Sequence, residues 1–298
     1  MADPGFRCAT EALGRGDDLA GTASTVRSFL LLEHDGPWGV DALRDARLPA
    51  GLGHELESRA KRAGVRPLLV RHPGRGRRRA DPPSRAVRVF AARAAGPGSW
   101  LETAVLDRVE DVLDLDLAAL GAGTSPGLER VAGPLLAVCT HGRHDACCAE
   151  LGRPVVRKLA HDWPDLTWEV SHMGGDRFAG NLLVLPHGLY YGRLATHSAE
   201  LVGRATVDGR VVVAHLRGRS DLPMPVQAAE VELRRRLGET RRDAVVPLDH
   251  RRDGDRVTAA FEVDGDRHEV VVRVARSEPA LLTCRAGAPS PAWLFEPL

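Results

Sequence analysis

The sequence predicts an α/β fold of two related halves, each a mixed sheet flanked by helices, followed by a small C-terminal α+β extension. Three observations carry this. Two stretches repeat one order of elements: strand, helix, strand, strand, strand, helix. They also open alike, since "FLLLEHDGPWGVDAL" lies over "LLAVCTHGRHDACCAEL" with each apolar run ending at a His-containing turn. The remainder, residues 211–298, breaks the order with one helix and a clear hairpin.

In the first half, residues 25–34 ("TVRSFLLLEH") form an apolar strand. Residues 53–64 ("GHELESRAKRAG") read as a helix closed by Gly64. Residues 65–72 ("VRPLLVRH") form a second strand that tolerates Pro67 near its start. Residues 85–94 and 99–106 are two more strands around the turn "AGPG", and "DRVEDVLDLDLAAL" reads as one helix.

In the second half, "GPLLAVCTHG" is a strand, and a helix covers 147–162 with Gly152 and Pro154 disturbing its first part. "TWEVSH" (167–172), "NLLVLPHG" and "LYYGRL" are strands, with Trp168, Tyr190 and Tyr191 as core residues, and "HSAELVGRATVDG" carries the last helix. A βαβ unit followed by ββα is the thioredoxin-like pattern. The halves are therefore expected over 1–130, degenerate, and 131–210, with the cysteines in the second. In the extension, "SDLPMPVQAAEVELRRRLG" holds a helix ended by Gly238, and residues 256–274 form a hairpin around Asp264-Gly265.

The chain has 298 residues, 43 % of them hydrophobic, room for about two domains with packed cores. A net charge of +1 points neither toward nor away from nucleic acid. The basic stretch 71–85 ("RHPGRGRRRADPPSR") lacks interleaved aromatics, so it reads as a solvated loop or a dock for an acidic partner rather than a nucleic-acid arm. No apolar run reaches the roughly 18 residues that span a bilayer. "MADPGFRCATEALGRGDD" lacks the plan of a signal peptide. A cytoplasmic, non-membrane protein is expected. Clustered thiols there read as metal ligands or redox groups rather than bridges, and an odd count of five cysteines agrees.

"CTHGRHDACCAELGRPV" begins at Cys139, and "SHMGGDRFAGN" begins at Ser171. Cys139 and Cys148 follow one strand and His172 and Asp176 follow another, so a thioredoxin-like sheet can bring both pairs to one end. Thiolates suit zinc and iron–sulfur clusters, imidazole suits both, and carboxylate is harder. There is no C-x-x-C dithiol, and the Rieske and plant-type ferredoxin spacings are absent. Adjacent Cys147 and Cys148 diverge, so Cys147 reads as a small buried bystander. Cys8 and Cys284 have no partner by spacing, and Cys284 reads as core. Gly174 and Gly175 allow close backbone approach. Arg177 is placed to offset charge or dock a partner, Asn181 to hold the loop, and His141 and His144 are polar turn residues.

These motifs, with "WEVSHMGGDRFAGNLLVLPHGLYYGRL" and "HLRGRSDLPMPVQAAE", resemble the sucrase/ferredoxin-like family, which includes bacterial sucrase ferredoxins and the yeast actin-patches-distal protein. The resemblance runs from about Ser28 to Cys284 and is densest over 139–194. It implies a thioredoxin-like domain holding a [2Fe–2S] cluster on two Cys spaced by eight residues and two His in H-x-G-G-H. The ligands carried over are Cys139, Cys148 and His172. Asp176 stands where the second His would be. Either Asp176 ligates iron, adding negative charge that lowers the potential, or it does not. The site is then labile, zinc-binding, completed by His141 or His144, or empty.

The leading expectation is an iron–sulfur electron-transfer protein with an unidentified redox partner protein. A thiol-based redox enzyme or sensor without a cluster is the first alternative, and a metal-free or zinc-binding scaffold the second. No carboxylate pair for glycoside hydrolysis is assignable, so "sucrase" carries no activity here.

Overall fold

Strand β1 (Ser28–Glu33) is buried along its whole length and lies at the centre of the first half. It pairs in parallel with β2 (Val65–Arg71) and antiparallel with β3 (Val87–Arg93), which pairs antiparallel with β4 (Trp100–Leu106). In the second half β6 (Leu135–Cys139) takes the same place. It pairs in parallel with β7 (Thr167–Val170) and antiparallel with β8 (Leu182–Leu185), which pairs with β9 (Leu189–Tyr191). The two halves thus share one strand order with one antiparallel member in the same position, the thioredoxin-like arrangement. The structure, a computed structural model, describes residues 5–73 and 86–298. Nearly all of the basic stretch 71–85 therefore lies outside the described residues.

The half-sheets are fused. Val70 pairs with Val170 and Arg71 with Glu169, antiparallel, giving one ten-stranded sheet in the order β10-β9-β8-β6-β7-β2-β1-β3-β4-β5, where β5 is Glu129–Arg130 and β10 is Leu216–Arg219. Because β2 and β7 are equivalent strands meeting antiparallel, the halves are related by an approximate twofold axis between them. Pro67 sits on β2 outside the short β2–β7 pairing, so its missing N–H costs that contact nothing.

Helix α1 (Cys8–Gly14) precedes the first half, which also holds α2 (Ala42–Asp45), α3 (Leu52–Ala63) and α4 (Leu117–Ala122). Gly64 closes α3 at φ 69°. The single helix expected over "DRVEDVLDLDLAAL" is instead two pieces, a 3-10 turn (Val109–Asp114) and α4. Leu115 is extended between them at ψ 138°, and the Asp116 side chain caps the Ala119 amide.

The second half carries α5 (Ala146–Asp162) and α6 (Thr196–Val207). Helix α5 runs unbroken through Gly152 and Pro154. The extension contributes α7 (Met224–Leu237) and a second sheet, β11 (Val246–Asp253), β12 (Arg256–Val263), β13 (Asp266–Arg276) and β14 (Trp293–Pro297). Its β12–β13 turn has Asp264 at φ 53° and Gly265 at φ 91°, the left-handed pair that a two-residue hairpin requires. Phe261, Val270 and Val272 share one apolar core with Val231 of α7 and Leu182 and Val184 of β8, so the extension packs on the second half. Among the described residues no helix is long and apolar enough to cross a membrane.

Candidate metal centre

Parallel strands β6 and β7 are neighbours, so the segments leaving their C-terminal ends emerge side by side. Cys139 is the last residue of β6, and Cys148 lies in the first turn of α5, the helix that follows it. The helix sits unusually close to the strand: a Cβ on Gly152 would lie 2.1 Å from the Cys139 carbonyl oxygen. A side chain there would push the two thiols apart. The Asp145 carboxylate caps α5 by accepting from the Cys147 amide at 2.9 Å.

His172 and Asp176 bracket the turn after β7. Gly174 (φ 96°) and Gly175 (φ 84°) are both left-handed and return the chain sharply, placing Asp176 on a short 3-10 turn. One donor atom from each of Cys139, Cys148 and His172 lies within 4.8 Å of the others, and so do donors of His144, His172 and Asp176. The four sequence-predicted residues therefore converge at one centre, with His172 common to both groups. Cys139, Cys148 and Asp176 are buried, and the His172 and His144 side chains, 25 % and 32 % exposed, form its outer side.

The contacts among these groups are specific. His172 Nδ1 lies 2.8 Å from Asp176 Oδ1, an ion pair when the ring is protonated. The Cys148 thiol donates to Asp176 Oδ1 at 3.2 Å. His144 stacks on His172 with ring centroids 3.7 Å apart and its Nε2 3.8 Å from Asp176 Oδ2. His141 accepts the His172 amide at Nδ1 (3.2 Å), and its Nε2 reaches the Gly39 carbonyl (3.0 Å). Both of its nitrogens are thus committed, and burial first, then the neighbouring imidazoles, hold it neutral against that carbonyl. The open nitrogen of His144 is Nε2, since Nδ1 faces the Val40 carbonyl at 3.2 Å.

Protons are unevenly held. The adjacent Cys148 thiol draws the Cys139 pKa down against the cost of burial. Cys148 is pushed up by its closeness to Cys139, by burial and by the Asp176 charge. Burial pushes Asp176 up, but His172, Cys148 and His144 outweigh it and the carboxyl ends below its usual range. The centre is one anionic oxygen and two thiols with a ready order of deprotonation, joined by imidazole. This is a donor set for a borderline-soft metal.

Beneath the Gly-Gly turn lies Arg217 of β10, fully buried and absent from the sequence reading. Its Nη1 donates to the Gly174 carbonyl (3.0 Å) and Asn181 Oδ1 (2.9 Å), and its Nε to Thr22 Oγ1 (3.1 Å). Asn181 donates in turn to the Gly175 carbonyl at 2.9 Å, the loop-holding role expected of it. A Cβ on Gly175 would lie 2.2 Å from Arg217 Nη2, so that glycine is required by the guanidinium beneath it. Arg177, expected at the centre or a docking face, is instead turned to Asp17 at 3.3 Å. Cys147 is buried away from the centre, beside Cys8 and Cys284. Cys284 is partly exposed rather than core, and the spacing that made Cys8 and Cys284 look solitary misleads.

A thioredoxin-like sheet whose strand ends gather two thiols, an imidazole and a carboxylate defines an α/β protein able to hold a metal in its second half. The chain belongs to the sucrase/ferredoxin-like family, whose model matches residues 19–218. The match stops short of the resemblance read as far as Cys284, leaving α1 and nearly all of the extension outside it. No curated protein and no solved structure matches the chain.

Proposed function

We propose that this protein transfers electrons through a [2Fe–2S] cluster held by Cys139, Cys148, His172 and Asp176. The observation that carries the reading is the convergence of the Cys139 and Cys148 thiols with His172, one donor atom of each within 4.8 Å of the others, beside an Asp176 carboxyl held below its usual range. Buried thiols joined by imidazole select a soft metal. When bound, the cluster supplies one-electron chemistry. The protein's own part is to fix the donors: Gly152 seats Cys148 against Cys139, His141 holds the His172 backbone, and Arg217 offsets negative charge from below. Burial of both thiols weighs against a thiol enzyme, because no substrate reaches them directly. The imidazole side is the outer one, so a redox partner protein docks over His144 and His172. Iron and acid-labile sulfide after anaerobic purification, with visible and EPR spectra, test this. A colourless protein that takes up no iron or sulfide on reconstitution sinks it.

The position of His144 supports a second ligand set, in which its Nε2 replaces Asp176 as the fourth donor. Iron retention in His144→Ala and Asp176→Ala separates the two: the variant of the true ligand loses iron faster.

A further inference from the structure

We infer that Cys8, Cys147, Cys284 and Asp145 form a second metal site, a zinc clasp that fastens both ends of the chain to helix α5. Three thiols from segments far apart in sequence meet at one point. Cys147 Sγ lies 3.4 Å from Cys284 Sγ, and Cys284 Sγ lies 3.6 Å from Cys8 Sγ, across a separation of 276 residues. Asp145 Oδ2 is 3.6 Å from Cys8 Sγ, and one donor atom of each of the four residues lies within 4.8 Å of the others. Thiolates on a tetrahedral zinc at about 2.3 Å stand roughly 3.8 Å apart. The observed spacings are close to that edge length.

The surroundings favour a cation. Asp145 is 1 % exposed, and among the described residues no basic side chain pairs with it. It accepts the Cys147 amide at 2.9 Å and the Cys284 amide at 2.7 Å, which fixes its carboxylate among the thiols. A buried carboxylate beside three thiols is costly unless a positive charge joins them. A divalent ion does so as the thiols release their protons to solvent. Three sulfurs and one oxygen suit zinc better than calcium or magnesium.

The site also has a structural task. Cys8 and Cys284 lie outside the family-matched residues 19–218, whereas Cys147 lies within them, next to Cys148. The apolar cluster joining these segments is small: Cys8, Ala9, Cys147 and Ala179, with Phe6 and Cys284 at its edge. Packing so thin holds a seven-residue helix weakly, and metal binding supplies the missing folding free energy. The clasp does not rest on the cluster reading, because the two sites share no ligand.

The test is zinc and iron content of the anaerobically purified full chain in three forms: wild type, Cys8→Ser/Cys284→Ser and Cys139→Ser/Cys148→Ser. Zinc is expected at about one equivalent in the wild type and in the Cys139/Cys148 variant, and at least about tenfold lower in the Cys8/Cys284 variant. A chelator should lower the melting temperature of the wild type and the Cys139/Cys148 variant and leave the Cys8/Cys284 variant unmoved. Should the Cys8/Cys284 variant fail to fold, cobalt titrated into the Cys139/Cys148 variant decides. A thiolate-to-cobalt absorption saturating at one equivalent supports the clasp, and its absence overturns it. Equal zinc in all three forms overturns it too, as does a Cys147–Cys284 disulfide in zinc-free protein. A wild type that holds zinc but no iron or sulfide, before and after reconstitution, refutes the cluster alone.

Discussion

His172 Nδ1 and Asp176 Oδ1 are 2.8 Å apart across two left-handed glycines, and Asp176 sits where an imidazole would complete an H-x-G-G-H motif. The carboxylate is short, buried and below its usual pKa range, so it brings a full negative charge to the centre. Two substitutions read that charge. Asp176→Asn removes it while keeping shape and should raise the reduction potential, since reduction adds negative charge that Asp176 opposes. Asp176→His supplies a neutral, softer ligand, so it should also raise the potential and lengthen the lifetime of bound iron in air. Potentiometric titration and timed iron loss measure both. An unchanged potential in both variants would show that Asp176 is not near the iron.

Arg217 should act in the opposite electrostatic sense. Burial first, then the Arg177 charge, lower its pKa to about 10, against opposing pulls from Tyr190, Asp176 and Cys148. Arg217→Met strips the Gly174 carbonyl and Asn181 Oδ1 of their donor and should destabilise the fold by about 3 kcal/mol. It also removes a cation from beneath the centre, so any remaining cluster should have a lower potential. Urea denaturation gives the first quantity and potentiometry the second. A variant of normal stability would mean that the Gly-Gly turn is held by something else.

Gly152→Ala tests whether the approach of helix and strand sets the thiol pair. The new Cβ would meet a backbone oxygen at 2.1 Å, a contact that no rotamer change relieves. Overpacking typically costs about 1–3 kcal/mol. Here α5 has to back away from β6 and carry Cys148 with it. Iron content should fall more than in Gly238→Ala, at a helix end with open space around its Cβ. Equal iron in the two variants would refute the argument.

The centre was legible because its chemistry is local. Two short motifs each follow a strand, and adjacent parallel strands deliver their ends to one place. The repeat of element order carried the fold in the same way, since each half forms the mixed sheet that this order implies. The remaining features are products of long-range packing. Arg217 is one arginine among many, and only burial under the glycine turn distinguishes it. Cys8 and Cys284 meet from opposite ends of the chain, which no spacing rule anticipates. Strand β11 is almost wholly exposed and reads "VPLDHRRD", an edge strand whose charges hide its alternation. The short α1 lacks a side-chain N-cap, so its start carries little signal.

His187 gives the protein an acid limit independent of the metal centre. It lies in the turn between β8 and β9, where burial first, then the Arg242 charge, lower its pKa from 6.5 to about 4 against an opposing pull from Asp243. The folded state therefore binds this proton more weakly than the unfolded state. Stability from the neutral ring is complete above about pH 6.5 and is lost progressively as the pH falls toward 4. The loss is at most about 3 kcal/mol. Urea midpoints of the metal-free protein at pH 7.5 and pH 5 should therefore differ, with the acidic one lower. His187→Gln keeps a polar side chain that does not titrate and should narrow that difference. Metal-free protein is needed because acid also protonates the thiols of Cys139 and Cys148. If the variant shows the same difference as the wild type, the acid sensitivity comes from another group and His187 is accommodated in both protonation states.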